Sequence, residues 1–239
     1  MLTGGYDLSS VKFPEEDPLW ADIVPTFRRL GKAELLAYDP SGKSIDGYGF
    51  TTIITEGRLY LPWLMKQIQA LGGTFERRRI SSLSELKDYD AIAWRRQSLV
   101  QDKSMYPVRG HVLRVRAPWV RHYINRDGGT YIIPNTDTVV LGGITQKGNW
   151  SLEPTEEDRR GILERCYEIL PSLRKAPILR EWVGLRPGRP DICLEREDAQ
   201  LDGKSVPVIH NYGHGGSGLT LGWGCATDAV ALVRKALAL

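Results

Sequence analysis

The chain has 239 residues, of which 41% are hydrophobic and 26% charged, the profile of a soluble globular protein with one large domain or two small ones. Its 32 basic and 29 acidic residues leave a formal charge of only +3, spread along the sequence, so neither nucleic acid nor an anionic membrane is an expected partner. Cys166, Cys193 and Cys225 are widely spaced and odd in number, which argues against a disulfide framework or a zinc site and fits a reducing compartment.

The N-terminal segment MLTGGYDLSSVKFPEEDPLW lacks a signal-like pattern, and nowhere do about 18 apolar residues run together as a membrane span requires. A soluble intracellular protein without bound metal is therefore expected. Asn149-Trp150-Ser151 matches the glycosylation sequon and is read as a chance match.

In chain order, β-branched residues predict a strand over 50–55, and Pro62 with Gly72-Gly73 predicts a helix over 60–71. Further strands are expected at 74–80, 90–93 and 111–115. Tyr131-Ile132-Ile133 and Thr138 to Leu141 read as a hairpin turning through Pro134-Asn135. Thr155 with Asp158 resembles a capping box, and Ile162, Leu163, Cys166, Ile169 and Leu170 then share a helical face. A strand over 206–209 leads into a glycine-rich loop and a closing helix with the stripe Ala226, Ala229, Val230, Val233, Leu237.

That loop, His210 to Thr220, is the most specific stretch. Gly213, Gly215 and Gly218 satisfy GxGxxG, yet a dinucleotide unit needs a second strand with an acidic ribose ligand about 20 residues on, and only one helix follows. Backbone amides close to a planar or anionic ligand, or a tight structural turn, both fit the spacing. Other short motifs are weaker: Gly42-Lys43-Ser44 lacks the first P-loop glycine, and Arg77-Arg78-Arg79 and Arg95-Arg96 are short basic runs in a nearly neutral chain.

The string ValIleHisAsnTyrGly at 208–213 with the small residues after it resembles the signature of the FAD-dependent D-amino-acid oxidase family. The resemblance extends, in order, through Phe27-Arg28-Arg29-Leu30, Tyr60-Leu61-Pro62-Trp63-Leu64, Pro107-Val108-Arg109-Gly110-His111, Gln146-Lys147-Gly148-Asn149-Trp150 and Gly184-Leu185-Arg186-Pro187. Several blocks are similar to the D-aspartate oxidase branch.

The resemblance implies a mixed α/β (α+β) fold: the remnant of an FAD-binding Rossmann-type domain over 1–105 and 180–239, with substrate-domain pieces interleaved in it, and a substrate domain with an antiparallel-rich sheet over 106–180. It implies FAD as cofactor and a D-amino acid and oxygen as small-molecule partners, yielding 2-oxo acid, ammonia and peroxide. Arg186 matches the arginine that clamps the substrate α-carboxylate, Tyr131 the tyrosine that also contacts it, and Gly216 the position whose carbonyl receives the ammonium. Gly215, Gly216, Ser217, Gly218, Leu219 and Thr220 match residues lining the isoalloxazine. Arg165 is placed like an arginine for a side-chain carboxylate, whereas Thr145 stands where the D-aspartate oxidase pattern expects another. His111, His122, His210 and His214 show no metal spacing, and this hydride chemistry needs no protein base.

Two departures stand out. Met1 falls inside the family pattern, past the GxGxxG unit that seats ADP, and Ala91 to Gln97 replaces a small-residue stretch near FAD. An inactive truncated isoform that binds a full-length homologue, or a homo-oligomer, is the alternative expectation. Family analogy gives a peroxisomal or cytoplasmic location, although Leu237-Ala238-Leu239 is not the usual peroxisomal address.

Overall fold

The protein's structure is a computed structural model that describes residues 1–94 and 102–239. Its elements are β1 (Leu2–Ser9), β2 (Arg28–Arg29), α1 (Lys32–Tyr38), β3 (Asp46–Ile53), α2 (Gly57–Ala70), β4 (Ile92–Trp94), β5 (Tyr106–Val115), β6 (Tyr123–Arg126), β7 (Thr130–Pro134), β8 (Val139–Gly142), β9 (Gln146–Lys147), α3 (Glu156–Ile169), β10 (Ile178–Leu201), β11 (Lys204–His214) and α4 (Gly218–Leu237). This is a mixed α/β fold, as the sequence implies.

The chain divides into two compact units. Unit 1 comprises 1–67, 109–146 and 151–184; unit 2 comprises 68–108, 147–150 and 185–239.

Unit 1 is built on strands in the order β2-β3-β1-β6-β7-β8-β5. β1 pairs antiparallel with β3 and parallel with β6, and β6, β7 and β8 form an antiparallel meander. One face carries Leu8, Ile124, Ile132 and Leu141, all essentially inaccessible. α3 covers that face with Ile162, Cys166 and Ile169, each fully buried aliphatic chain contributing about 1.5–3 kcal/mol. α3 starts where expected: the Thr155 hydroxyl accepts from the Asp158 amide at 3.2 Å, and Glu156, Glu157 and Asp158 sit against the positive helix end. The hairpin through Pro134 and Asn135 is also present, closed by the Asn135 amide donating to the Thr138 carbonyl at 2.7 Å.

In unit 2, β10, β11 and β4 lie side by side, β10 and β11 antiparallel and β11 and β4 parallel. Ile92, Trp94, Ala199, Leu201, Val206 and Val208 make its core. The strand expected at 74–80 is absent; this stretch has no regular structure, because Arg77, Arg78 and Arg79 interrupt any apolar alternation after Phe75. The strand at 206–209 is longer than its sequence signal, running to His214 through Gly213. Arg95, Arg96 and Gln97 lie outside the described residues. The expected apolar stripe of α4 is only partly covered: Ala229 is buried, Val233 and Leu237 are half-buried, and Ala226 and Val230 are exposed.

Candidate functional site

Unit 2 brings Arg186 and the glycine loop together. β10 and β11 pair from Lys204 to Tyr212, then their register shifts, with Gly188 opposite His214. Beyond that shift the Gly215 amide donates to the Pro187 carbonyl at 2.8 Å. A methyl on Gly216 would stand 3.4 Å from Arg186 Cδ, so the two residues are neighbours. Gly213 has φ of +87°, and a Cβ there would lie 2.9 Å from the Arg189 Cβ; conformation and space both demand glycine.

A second arginine of the same motif locks this corner. Arg189 Nε donates to Asp102 Oδ2 at 2.9 Å, and the Tyr212 hydroxyl donates to the same oxygen at 3.0 Å. Asp102 Oδ1 accepts from the Ser104 hydroxyl at 2.6 Å and its amide at 2.8 Å. The Ser104 hydroxyl and amide, then Arg189 and Tyr212, hold the Asp102 carboxyl well below the usual carboxylate range against a smaller effect of burial. Burial, followed by Cys193 and Asp102, pushes the Tyr212 phenol up.

Gly215 to Thr220 lead into α4, whose N-cap Ser217 supplies no side-chain cap. The first-turn amides of Gly218, Leu219 and Thr220 therefore keep the donor capacity that every helix start has, and residues 216–220 are exposed. Nothing would meet a Cβ at Gly215 within 4 Å, so the loop is open at this glycine, beside a positive helix end. That donor set fits the edge of a flavin ring that gains negative charge on reduction.

Unit 1 places Tyr131 opposite Gly142 across β7 and β8. A Cβ on either Gly142 or Gly143 would collide with the Tyr131 ring, so the ring lies over this glycine pair. Arg165 reaches the same end of the meander from α3. Its Nε donates to Thr130 Oγ1 at 3.1 Å and its Nη2 to the Gly143 carbonyl at 3.0 Å. Thr130 alternates with Tyr131, so Arg165 is engaged on the α3 side of the sheet and Tyr131 stands on the other.

His111 and His210 are buried against Glu181 at 3.0 Å and Glu197 at 2.8 Å, and His122 packs edge-on against Tyr6 and Tyr38. Among the described residues, no group of His, Cys, Asp or Glu could hold a metal ion. No described helix is long and apolar enough to cross a membrane.

Sequence reasoning misses Asp102 and Arg189. Arg189 sits three residues after Arg186 in the same GlyLeuArgProGlyArgPro string, which is the available signal; Asp102 carries none.

The profile of the DAO family, FAD dependent oxidoreductases, matches residues 15–232. The chain is 44% identical over 241 residues to human D-aspartate oxidase, covering 98% of this chain and 70% of that protein. It is 41% identical to the D-amino-acid oxidase of Rubrobacter xylanophilus, covering 99% of this chain and 72% of that one. In structure it is similar to glycine oxidase from Geobacillus kaustophilus, with a TM-score of 0.74 at 17% identity over 98% of this chain and 71% of that one. Sequence and architecture agree, and the chain belongs to the DAO family of FAD-dependent oxidoreductases.

Proposed function

We propose that this chain carries out the oxidative deamination of D-amino acids, converting amino acid, oxygen and water to 2-oxo acid, ammonia and hydrogen peroxide. The observation that carries the reading is that Arg186 neighbours Gly216 beside the uncapped start of α4. A guanidinium and the backbone carbonyl of a neighbouring glycine would supply the pair of groups that an α-carboxylate and an α-ammonium need. FAD, when bound, accepts the hydride from the α-carbon and is reoxidised by oxygen.

Arg186 donates its planar fork to the α-carboxylate, the Gly216 carbonyl accepts from the ammonium, and the Tyr131 hydroxyl is a further carboxylate donor. Gly215, Gly216, Ser217, Gly218, Leu219 and Thr220 hold the isoalloxazine through backbone amides. Arg165 is assigned to the substrate side-chain end by the family resemblance, its guanidinium being engaged by Thr130 and Gly143 on the α3 side of the sheet. Peroxisomal or cytosolic residence is proposed by analogy with the family.

An Arg186→Lys variant tests the reading. It should weaken D-amino-acid turnover by about 100-fold, since a lysine cannot reproduce bidentate recognition. Unchanged turnover would sink the Arg186 assignment.

A second reading, a polypeptide-binding role without catalysis, is favoured by α2. This helix has no buried residue and exposes Leu59, Leu61, Trp63, Met65 and Ile68. A monodisperse monomer by light scattering at high concentration would count against it.

A further inference from the structure

The strand register of unit 1 lines up one row of residues across four neighbouring strands and a fifth. Tyr48 on β3 faces Asp7 on β1, Asp7 faces Asn125 on β6, Asn125 faces Tyr131 on β7, and Tyr131 faces Gly142 on β8. Directly opposed residues share a face, so all five project from the side opposite Leu8, Ile124, Ile132 and Leu141. One end of the row is an aromatic wall, where Tyr48 stacks on Phe13 at 4.3 Å and packs against Phe27 and Trp20. The other end is the Tyr131 ring. Asp7 and Asn125 lie between them.

Asp7 is a half-buried carboxyl in this row. Asn125 Nδ2 donates to its Oδ1 at 2.5 Å. Burial pushes the Asp7 carboxyl up, the Asn125 amide opposes this, and the Asp127 carboxylate adds to it; none of the groups acting on it is a cation. Tyr123 stands on the same face, two residues before Asn125. Its phenol is pushed up to about 12 by burial first, then by the charge of Asp7 and by Tyr131.

We propose that Asp7, with Asn125, is a specificity-determining residue that turns away D-amino acids bearing a side-chain carboxylate and admits those with neutral or cationic side chains. The inference rests on the assignment of Tyr131 to the substrate carboxylate. Neighbouring strands lie about 4.8 Å apart, so a substrate anchored at Tyr131 and extending along the row meets Asn125 first and Asp7 next. A side-chain carboxylate there faces a like charge in a partly desolvated setting, which is unfavourable. Compensation from the flanks is small: Thr145 is uncharged, and Arg165 is engaged by Thr130 and Gly143 on the α3 side.

The test is equilibrium binding of D-alanine, D-lysine and D-aspartate to the full chain with added FAD under anaerobic conditions, read by ligand-observed NMR. Three variants are compared with the parent: Asp7→Asn, Asn125→Lys and Tyr131→Phe. D-Aspartate should bind at least about tenfold more weakly than D-lysine, because like charges are opposed. Asp7→Asn should raise D-aspartate affinity about tenfold, lower that of D-lysine, and leave D-alanine within about twofold. Asn125→Lys, which sets a cation beside Asp7, should shift D-aspartate and D-lysine in the same directions and serves if Asp7→Asn does not fold. D-Alanine binding that depends on Tyr131, with a D-aspartate to D-lysine ratio untouched by either substitution, overturns the Asp7 inference alone. D-Alanine binding that is absent or indifferent to Tyr131→Phe overturns the carboxylate assignment and the Asp7 inference with it.

Discussion

Arg186 and Gly216 are neighbours: a methyl on the glycine would rest 3.4 Å from Arg186 Cδ, at ordinary van der Waals distance. An alanine therefore fits, but it fills the space between the guanidinium stem and the carbonyl proposed to receive the ammonium. Gly216→Ala should leave the thermal midpoint nearly unchanged and raise KM for D-amino acids by about tenfold, in line with the cost of small misplacements.

Gly213, three residues earlier, should behave in the opposite way. Its φ is +87°, and the Arg189 Cβ lies only 2.9 Å from where a methyl would stand, so there is no room for a side chain. Gly213→Ala should cost about 1–3 kcal/mol of stability, measured by urea unfolding. A neutral result would show that β11 tolerates the change at Gly213.

Asp102 gives a pH signature. Its folded-state pKa is depressed, first by the Ser104 hydroxyl and amide and then by Arg189 and Tyr212. A depressed carboxyl contributes stability that is fully present above the unfolded value of about 4 and lost as pH falls through the folded pKa. Asp102→Asn should thus be less stable than the parent at pH 7, and the gap in thermal midpoint should narrow as pH falls below about 4. A gap independent of pH would show that the carboxylate charge contributes nothing.

In unit 1 the side chain of Asp39 is fully inaccessible and accepts from Ser44 Oγ at 2.6 Å and Arg126 Nη1 at 3.3 Å. Burial pushes its carboxyl up, but Ser41, Ser44 and Arg126 together bring it below the ordinary value. Arg126→Met would leave Asp39 without its cation and Glu168 without its 2.7 Å partner. Breaking one side of such a buried pair should cost about 3–5 kcal/mol, read by urea unfolding.

Trp223 offers a probe of the proposed cofactor surface. It is 68% exposed on α4, five residues after Gly218. Added FAD should quench its emission in a saturable way, and Trp223→Phe should remove most of that change. Quenching that only rises linearly with FAD would mean collision without binding at this helix end.

The sequence is most legible where local chemistry decides structure. Thr155 and the acidic turn after it announce α3, and Pro134-Asn135 announces the hairpin that carries Tyr131. It is least legible where pairing is long-range. β1 reads as a glycine-bearing segment, yet it becomes a central strand because β3 and β6 pair with both its edges; Asp7 carries no local signal for the same reason. The arginines of 74–80 defeat a strand reading that rests on Phe75 and Ile80. Gly213 marks a turn by its spacing, but the strand runs through it because φ of +87° bends β11 without ending it.

The most direct test of the account is peroxide formation by the purified chain with added FAD, on D-alanine, D-lysine, D-aspartate and their L-isomers, beside the Arg186→Lys variant. The account predicts peroxide from D-isomers only, falling about 100-fold in the variant, as expected when bidentate carboxylate recognition is lost. Folded, FAD-binding protein that forms no peroxide from any D-isomer, or forms it equally with lysine at 186, would contradict it.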